Sequence, residues 1–255
     1  MRAAAVTLTT TAPYLLAAWA LRTAAAVALI LPVGTALSRP PPPSILTRPA
    51  DAALAFERIV SALPGAAGWM LAVAGVYLLA ARLMTLTWLS ALARPHADAR
   101  AHLRAGLSRL PPALLVGLLS LGPAGLGLCG AALLLLWLPR VGPDAQQWLG
   151  ALSLAGAAAA LLAVATWHDL SLARLVAGRP LSQALRPPAS RRLARLCGRH
   201  AALLLGGAAL WATGEVLGRA VTGAGLTLLV VPVHQGAAML AMAVRGVWLA
   251  LLVRE

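Results

Sequence analysis

Apolar residues in this chain fall into long, nearly unbroken runs separated by short polar stretches, not into the alternation of a soluble fold. A hydrocarbon layer about 30 Å thick needs about 20 such residues per helical crossing. Six runs reach that length: about 13–37, 65–93, 112–138, 148–176, 200–221 and 225–253. They predict an all-α, polytopic transmembrane helical bundle, with residues 1–255 forming a single transmembrane domain. Glu215 and Arg219 interrupt the outer half of the fifth run, so five crossings is the alternative count.

The first run follows Thr9 to Thr11, which can cap a helix with Pro13 in its first turn. It is too long for a cleaved leader and contains Arg22, and reads as a retained span. The prolines Pro40 to Pro43 predict an extended polyproline connector. From Asp51 to Leu63 the pattern is amphipathic. Ala53, Phe56, Val60 and Leu63 share a stripe, with Asp51, Glu57, Arg58 and Ser61 largely off it. That predicts an outer interfacial helix ending near Pro64 and Gly65. In the third run, Gly122, Pro123, Gly125, Gly127 and Gly130 favour close helix packing, and a broken helix of the transporter type is the alternative. Gly214 and Gly218 form a lone small-xxx-small match.

Composition agrees with the pattern. Hydrophobic residues make up 60% of the chain and charged residues 11%, against about 45–50% and about 25% in soluble domains. The formal net charge of +14 comes from 21 basic residues, all arginine. In a soluble chain that surplus would point to nucleic acid. Here no basic stretch has a folded domain or stacking aromatics of its own, so no nucleic-acid partner is expected. Basic loops retained on the cytoplasmic side account for the charge instead.

With the amino terminus inside, Arg2, Arg94, Arg100, Arg104, Arg109, Arg179, Arg186, Arg191, Arg192, Arg195, Arg199 and Arg254 are cytoplasmic. The outer segments hold only Arg39, Arg48, Arg58, Arg140 and Arg219. The imbalance predicts a multi-pass membrane protein with both termini cytoplasmic.

Charges inside the spans are the best lead to chemistry, because each is costly in hydrocarbon. Arg22 lies about nine residues, or about 13 Å, inside the first span. Asp169 lies at similar depth from the inner end of the fourth and is the sole acid in that half, among Arg22, Arg82, Arg174 and Arg245. These five residues are read as an intramembrane polar cluster in which Asp169 pairs with Arg22 or Arg82. For Arg82, Arg174 and Arg245, snorkelling to the inner headgroups is the simpler reading. His168 adjoins Asp169, but neighbouring helical residues point about 100° apart, which argues against a relay.

In the outer half, Glu215 and Arg219 are spaced to pair along one helix face, with His234 at a similar height. The link from Arg179 to Arg199 carries Arg179, Arg186, Arg191, Arg192, Arg195 and Arg199 without an acid. Beside an anionic leaflet it should bind acidic lipid headgroups, and a membrane-protein partner is the other candidate. A faint repeat joins Arg82, Arg174 and Arg245, with Trp88 and Trp248 following the first and third, and three two-helix hairpins would explain it. Cys129 and Cys197 offer neither a disulfide framework nor a zinc site. No catalytic signature, metal constellation or cofactor motif is present.

The stretch Asp169 to Leu175, the basic link after it and the closing segment His234 to Glu255 together resemble uncharacterised six-span bacterial membrane proteins. In these an acidic-x-x-x-Ala-Arg pattern ends a span, a basic link follows and a Gln-containing last span closes the chain. They are distantly similar to the membrane domain attached to some glycerophosphodiester phosphodiesterases. No phosphodiesterase catalytic residues occur here, so the resemblance implies a six-span fold and no activity. The expectation is a scaffold or accessory protein of a bacterial inner (plasma) membrane with a basic, lipid-binding inner face. A small transporter or permease subunit is the alternative, and it requires a water-filled cavity reaching Arg22 and Asp169.

Overall fold

Long apolar runs in a low-dielectric environment must satisfy their own backbone, and a helix does so within one segment. A computed structural model of the chain describes the backbone of residues 2–37, 49–137, 143–223 and 229–255. It describes the side chains of residues 11–29, 67–134, 136, 146–222 and 229–255. The described residues contain helices and no strands: α1 (Arg2–Leu37), α2 (Pro49–Ala93), α3 (Ala99–Trp137), α4 (Pro143–Val176), α5 (Leu181–Ala184), α6 (Ser190–Gly223) and α7 (Val230–Arg254). Six of them, all but α5, are long and apolar enough to cross a membrane. The architecture is the expected all-α bundle.

The helices overrun the predicted spans. The segment read as a separate interfacial helix is helical, but α2 passes Pro64 and Gly65 and continues as one helix of 45 residues. At 1.5 Å per residue that is about 67 Å, so part of it must lie outside a 30 Å hydrocarbon layer. The polyproline connector, the residues Arg39, Arg48 and Arg140 expected on the outer side, and the predicted start of the sixth span at Gly225 lie outside the described residues. Third, α3 begins before Pro112, where Asp98 caps it by accepting a hydrogen bond from the Ala101 amide at 2.6 Å. It runs unbroken through Pro111, Pro112 and Pro123. The stretch holding Arg100, Arg104 and Arg109, expected as a cytoplasmic segment, is therefore the first three turns of a helix, and the broken-helix reading does not hold.

Three hairpins, α1–α2, α3–α4 and α6–α7, are the most extensively packed pairs. They close into a ring in the order α1, α2, α3, α4, α6, α7 and back to α1, with α2, α4 and α7 also touching across the middle. The α6–α7 hairpin uses the small-xxx-small pair. A Cβ on Gly214 would collide with Ala237, and one on Gly218 with the His234 ring. Of the glycines in the third run, Gly127 approaches Ala160 on α4, while Gly122, Gly125 and Gly130 face open space.

Packing is uneven along the bundle axis. The buried core draws on Leu86 and Leu89 of α2, Val116 of α3, Leu172 of α4, Leu196 of α6 and Trp248 of α7. All lie in the half of each helix nearest one end, where α2, α4 and α7 finish. We call it the basic end. Toward the opposite end large apolar side chains such as Leu71, Leu126 and Leu136 are more than two-thirds exposed, the surface lipid would cover.

Candidate functional site

The polar groups in the core are assembled by the three helices that meet in the middle. Asp169 of α4 is 4% exposed. Its carboxylate takes a two-pronged contact from Arg245 of α7, with Nη1 to Oδ2 at 2.5 Å and Nη2 to Oδ1 at 2.8 Å. Trp248, one turn further along α7, donates its indole N–H to Oδ2 at 2.9 Å. His168 Nδ1 lies 3.3 Å from Oδ1, and its Nε2 is 2.7 Å from Arg82 Nη1 on α2.

Chemistry assigns the histidine. A guanidinium has no acceptor, so Nε2 must present its lone pair to Arg82, which leaves the ring neutral with its proton on Nδ1. Nδ1 then donates to Asp169. The carboxylate thus receives four donors, two on each oxygen, the satisfied state in which a buried charge is tolerated. Arg82 and Arg245 against Asp169 leave one positive charge in excess.

The network continues past Trp248. His200, the first-predicted residue of the fifth span, stacks on the Trp248 ring with centroids 4.2 Å apart. Its Nδ1 is 2.9 Å from Thr166 Oγ1, and Thr166 is fully buried. A neighbouring pair, Ser90 and His102, is buried between α2 and α3 at 3.4 Å. Trp88 packs against Gly246, where an added Cβ would sit 2.6 Å from the indole Cζ2.

The structure therefore brings Arg82, Asp169 and Arg245 together and corrects the expected pairing. Asp169 is held by Arg245, not by Arg22, and reaches Arg82 only through His168. Arg22 is excluded by height. Trp19, one turn earlier on α1, donates to Gln235 at 2.7 Å, ten residues before Arg245 and so about 15 Å along α7. Arg22 is exposed and its guanidinium lies over the Trp211 ring, 5.9 Å from the centroid. Arg174 also stands apart. Its Nη1 donates to the carbonyls of Arg186, at 2.5 Å, and Ala184, at 3.3 Å. Of the three arginines read as snorkelling, only Arg174 turns to the bundle end.

At the opposite end Glu215 meets His234 Nε2 at 3.3 Å instead of pairing with Arg219. His234 Nδ1 faces the Val230 carbonyl at 3.0 Å and so carries a proton, which makes the Glu215 contact an ion pair when Nε2 is protonated too.

The basic link divides in two. A Schellman turn ends α4, with Arg179 N bonded to Arg174 O and Gly178 N to Leu175 O, each at 3.0 Å. It needs the positive φ of 87° that Gly178 supplies. Pro187 and Pro188 follow α5, and α6 starts at Ser190, so Arg191, Arg192, Arg195 and Arg199 sit on its first turns. Arg199 pairs with Glu255 Oε1 at 2.9 Å, and Arg192 contacts both the Glu255 carbonyl and Oε2. Arg179, Arg186, Arg191 and Arg195 are exposed.

Among the described residues no group of three His, Cys, Asp or Glu side chains is close enough to hold a metal. No protein-family model, curated protein or solved structure matches this chain.

Proposed function

We propose that the protein is a membrane scaffold or accessory protein whose basic end faces the bacterial cytoplasm and holds anionic lipid headgroups. The observation that supports this reading is the state of Asp169: buried, saturated by four donors and enclosed by the packed half of the bundle. A carboxylate that serves an ion or proton pathway needs a free lone pair and a route to water. This one accepts two donors on each oxygen and is 4% exposed, and so serves as a lock between α4 and α7. The exposed arginines on α6 and the link before it project from the locked end, where each can gain about 1 kcal/mol against an anionic leaflet.

The test is stability in defined lipid. Protein reconstituted into phosphatidylcholine vesicles should gain thermal stability when phosphatidylglycerol is added, and the Arg191→Gln/Arg195→Gln variant should gain less. Equal melting in both lipids would remove the reading.

A second reading, a small transporter or permease subunit, draws on the loosely packed opposite half, with Trp19–Gln235 and Glu215–His234 in it. It requires a state that opens to Asp169. With Cys129 and Cys197 replaced by alanine, a cysteine at Thr166 should react with a membrane-impermeant thiol reagent if that state forms. It should stay unlabelled in a scaffold.

A further inference from the structure

At the basic end, where α2, α4 and α7 finish and α6 starts, lies a cavity of about 380 Å³. Arg94, Arg174, Arg179 and Arg192 line it together with one acid, Glu255. Its apolar wall comes from Leu170, Ala173 and Leu252. Two features set these arginines apart from a merely solvated rim. The guanidinium of Arg174 is held in place through the carbonyls of Ala184 and Arg186, and it lies close enough to Arg179 and Arg192 for their charges to oppose one another. Arg192 also has its Nε buried with no hydrogen-bond partner among the described residues, a donor whose desolvation is uncompensated. A carboxylate already shares this ground: the Glu255 side chain is the oxyanion that Arg192 and Arg199 grip.

We propose that the cavity is a specific site for a phosphate group bearing an apolar substituent. The arginines take the phosphate oxygens, for which their forked donors are suited, and the Leu170–Leu252 wall takes the carbon skeleton next to it. Glu255 is the internal competitor the ligand displaces from Arg192. This rests on, and sharpens, the reading of the basic end as a lipid-binding face, replacing diffuse attraction by one saturable site.

The experiment uses the full chain in a neutral detergent, titrated separately with dihexanoyl phosphatidic acid and with inorganic phosphate, with binding followed by calorimetry. Arg94 and Arg179 are exposed and have no side-chain partner among the described residues, so Arg94→Gln/Arg179→Gln should fold normally, as its melting temperature will verify. Expected are saturable binding of phosphatidic acid with one site per chain, at least tenfold weaker binding in that variant, and binding within twofold of the parent in Arg191→Gln/Arg195→Gln. Glu255→Gln should tighten binding about threefold or more. If inorganic phosphate binds as tightly as the lipid, the site stands but the ligand is a free phosphate. Non-saturable binding, or equal weakening by both arginine pairs, overturns the cavity and leaves the diffuse reading of the basic face intact. Failure of the vesicle experiment above with success here would do the reverse.

Discussion

Replacing Asp169 with asparagine tests the central network more sharply than deleting the side chain, because shape is kept and only the acceptor pattern changes. Each carboxylate oxygen receives two donors: Arg245 Nη2 and His168 Nδ1 on Oδ1, Arg245 Nη1 and Trp248 Nε1 on Oδ2. An asparagine amide must turn its NH₂ toward one of these pairs, so in either orientation two donors face two donors. Two hydrogen bonds are lost and the negative charge opposite Arg245 disappears. Removing one partner of a buried pair costs about 3–5 kcal/mol. The Arg245 side chain is 39% exposed, which places the expected loss toward the lower figure, about 3 kcal/mol. At roughly 2–4 °C per kcal/mol for a chain of this size, the melting temperature in detergent should fall by about 10 °C. Size-exclusion recovery after heating measures it. Because Arg245→Gln removes the same contact from the other side, the double variant should cost far less than the two single losses combined. A drop of 2 °C or less in Asp169→Asn, or strict additivity in the cycle, would show that the pair does not lock α4 to α7.

Other sites give smaller or differently signed effects. Gly246→Ala sets a methyl against the Trp88 indole, and this overpacking should cost about 1–3 kcal/mol, read in the same melting assay. Trp248→Phe keeps the stack on His200 but removes the N–H to Asp169. A loss of about 1–2 kcal/mol is expected, with the near-ultraviolet circular dichroism reporting the ring environment. Glu215→Gln should change stability by less than about 1 kcal/mol, since the pair with His234 is 41% and 28% exposed. Reporter fusions at the two ends should both register the cytoplasm, and opposite compartments would require an odd number of crossings.

How the centre forms could be read only in part from the residues. Run length alone gives six candidate crossings, because an apolar segment of about 20 residues can satisfy its own backbone in lipid as a helix, and the same reasoning rightly places Asp169, Arg82 and Arg245 at one depth. The choice among those arginines could not be read, since depth fixes height and not azimuth. Arg82 and Arg245 satisfy the same one-dimensional criterion, and in the structure Arg245 takes the carboxylate while Arg82 takes His168. Arg22 fails on height itself: counting from Pro13 puts it at the depth of Asp169, but α1 sets Trp19 level with Gln235, ten residues from Arg245. His168 misled for a related reason. Successive residues diverge at Cβ, but a long imidazole can fold back to reach a carboxylate at 3.3 Å once Arg82 fixes its other nitrogen.

The contribution of His200 was hidden by its position at the predicted edge of a span. Counting it as an end residue concealed that α6 begins three turns earlier, at Ser190, which carries His200 into the packed half beside Trp248. One usable signal was present: Trp88 and Trp248 recur just past Arg82 and Arg245, and both tryptophans prove to be core residues. The third member of that faint repeat, Arg174, has no such tryptophan after it and faces the loop carbonyls. What recurs is therefore an arginine followed by a core tryptophan, and the helix lacking that tryptophan supplies the acid instead. That division places two cations and one anion where α2, α4 and α7 converge, so one helix of each hairpin joins a single hydrogen-bonded chain from Arg82 through His168 and Asp169 to Arg245, set within the shared apolar core.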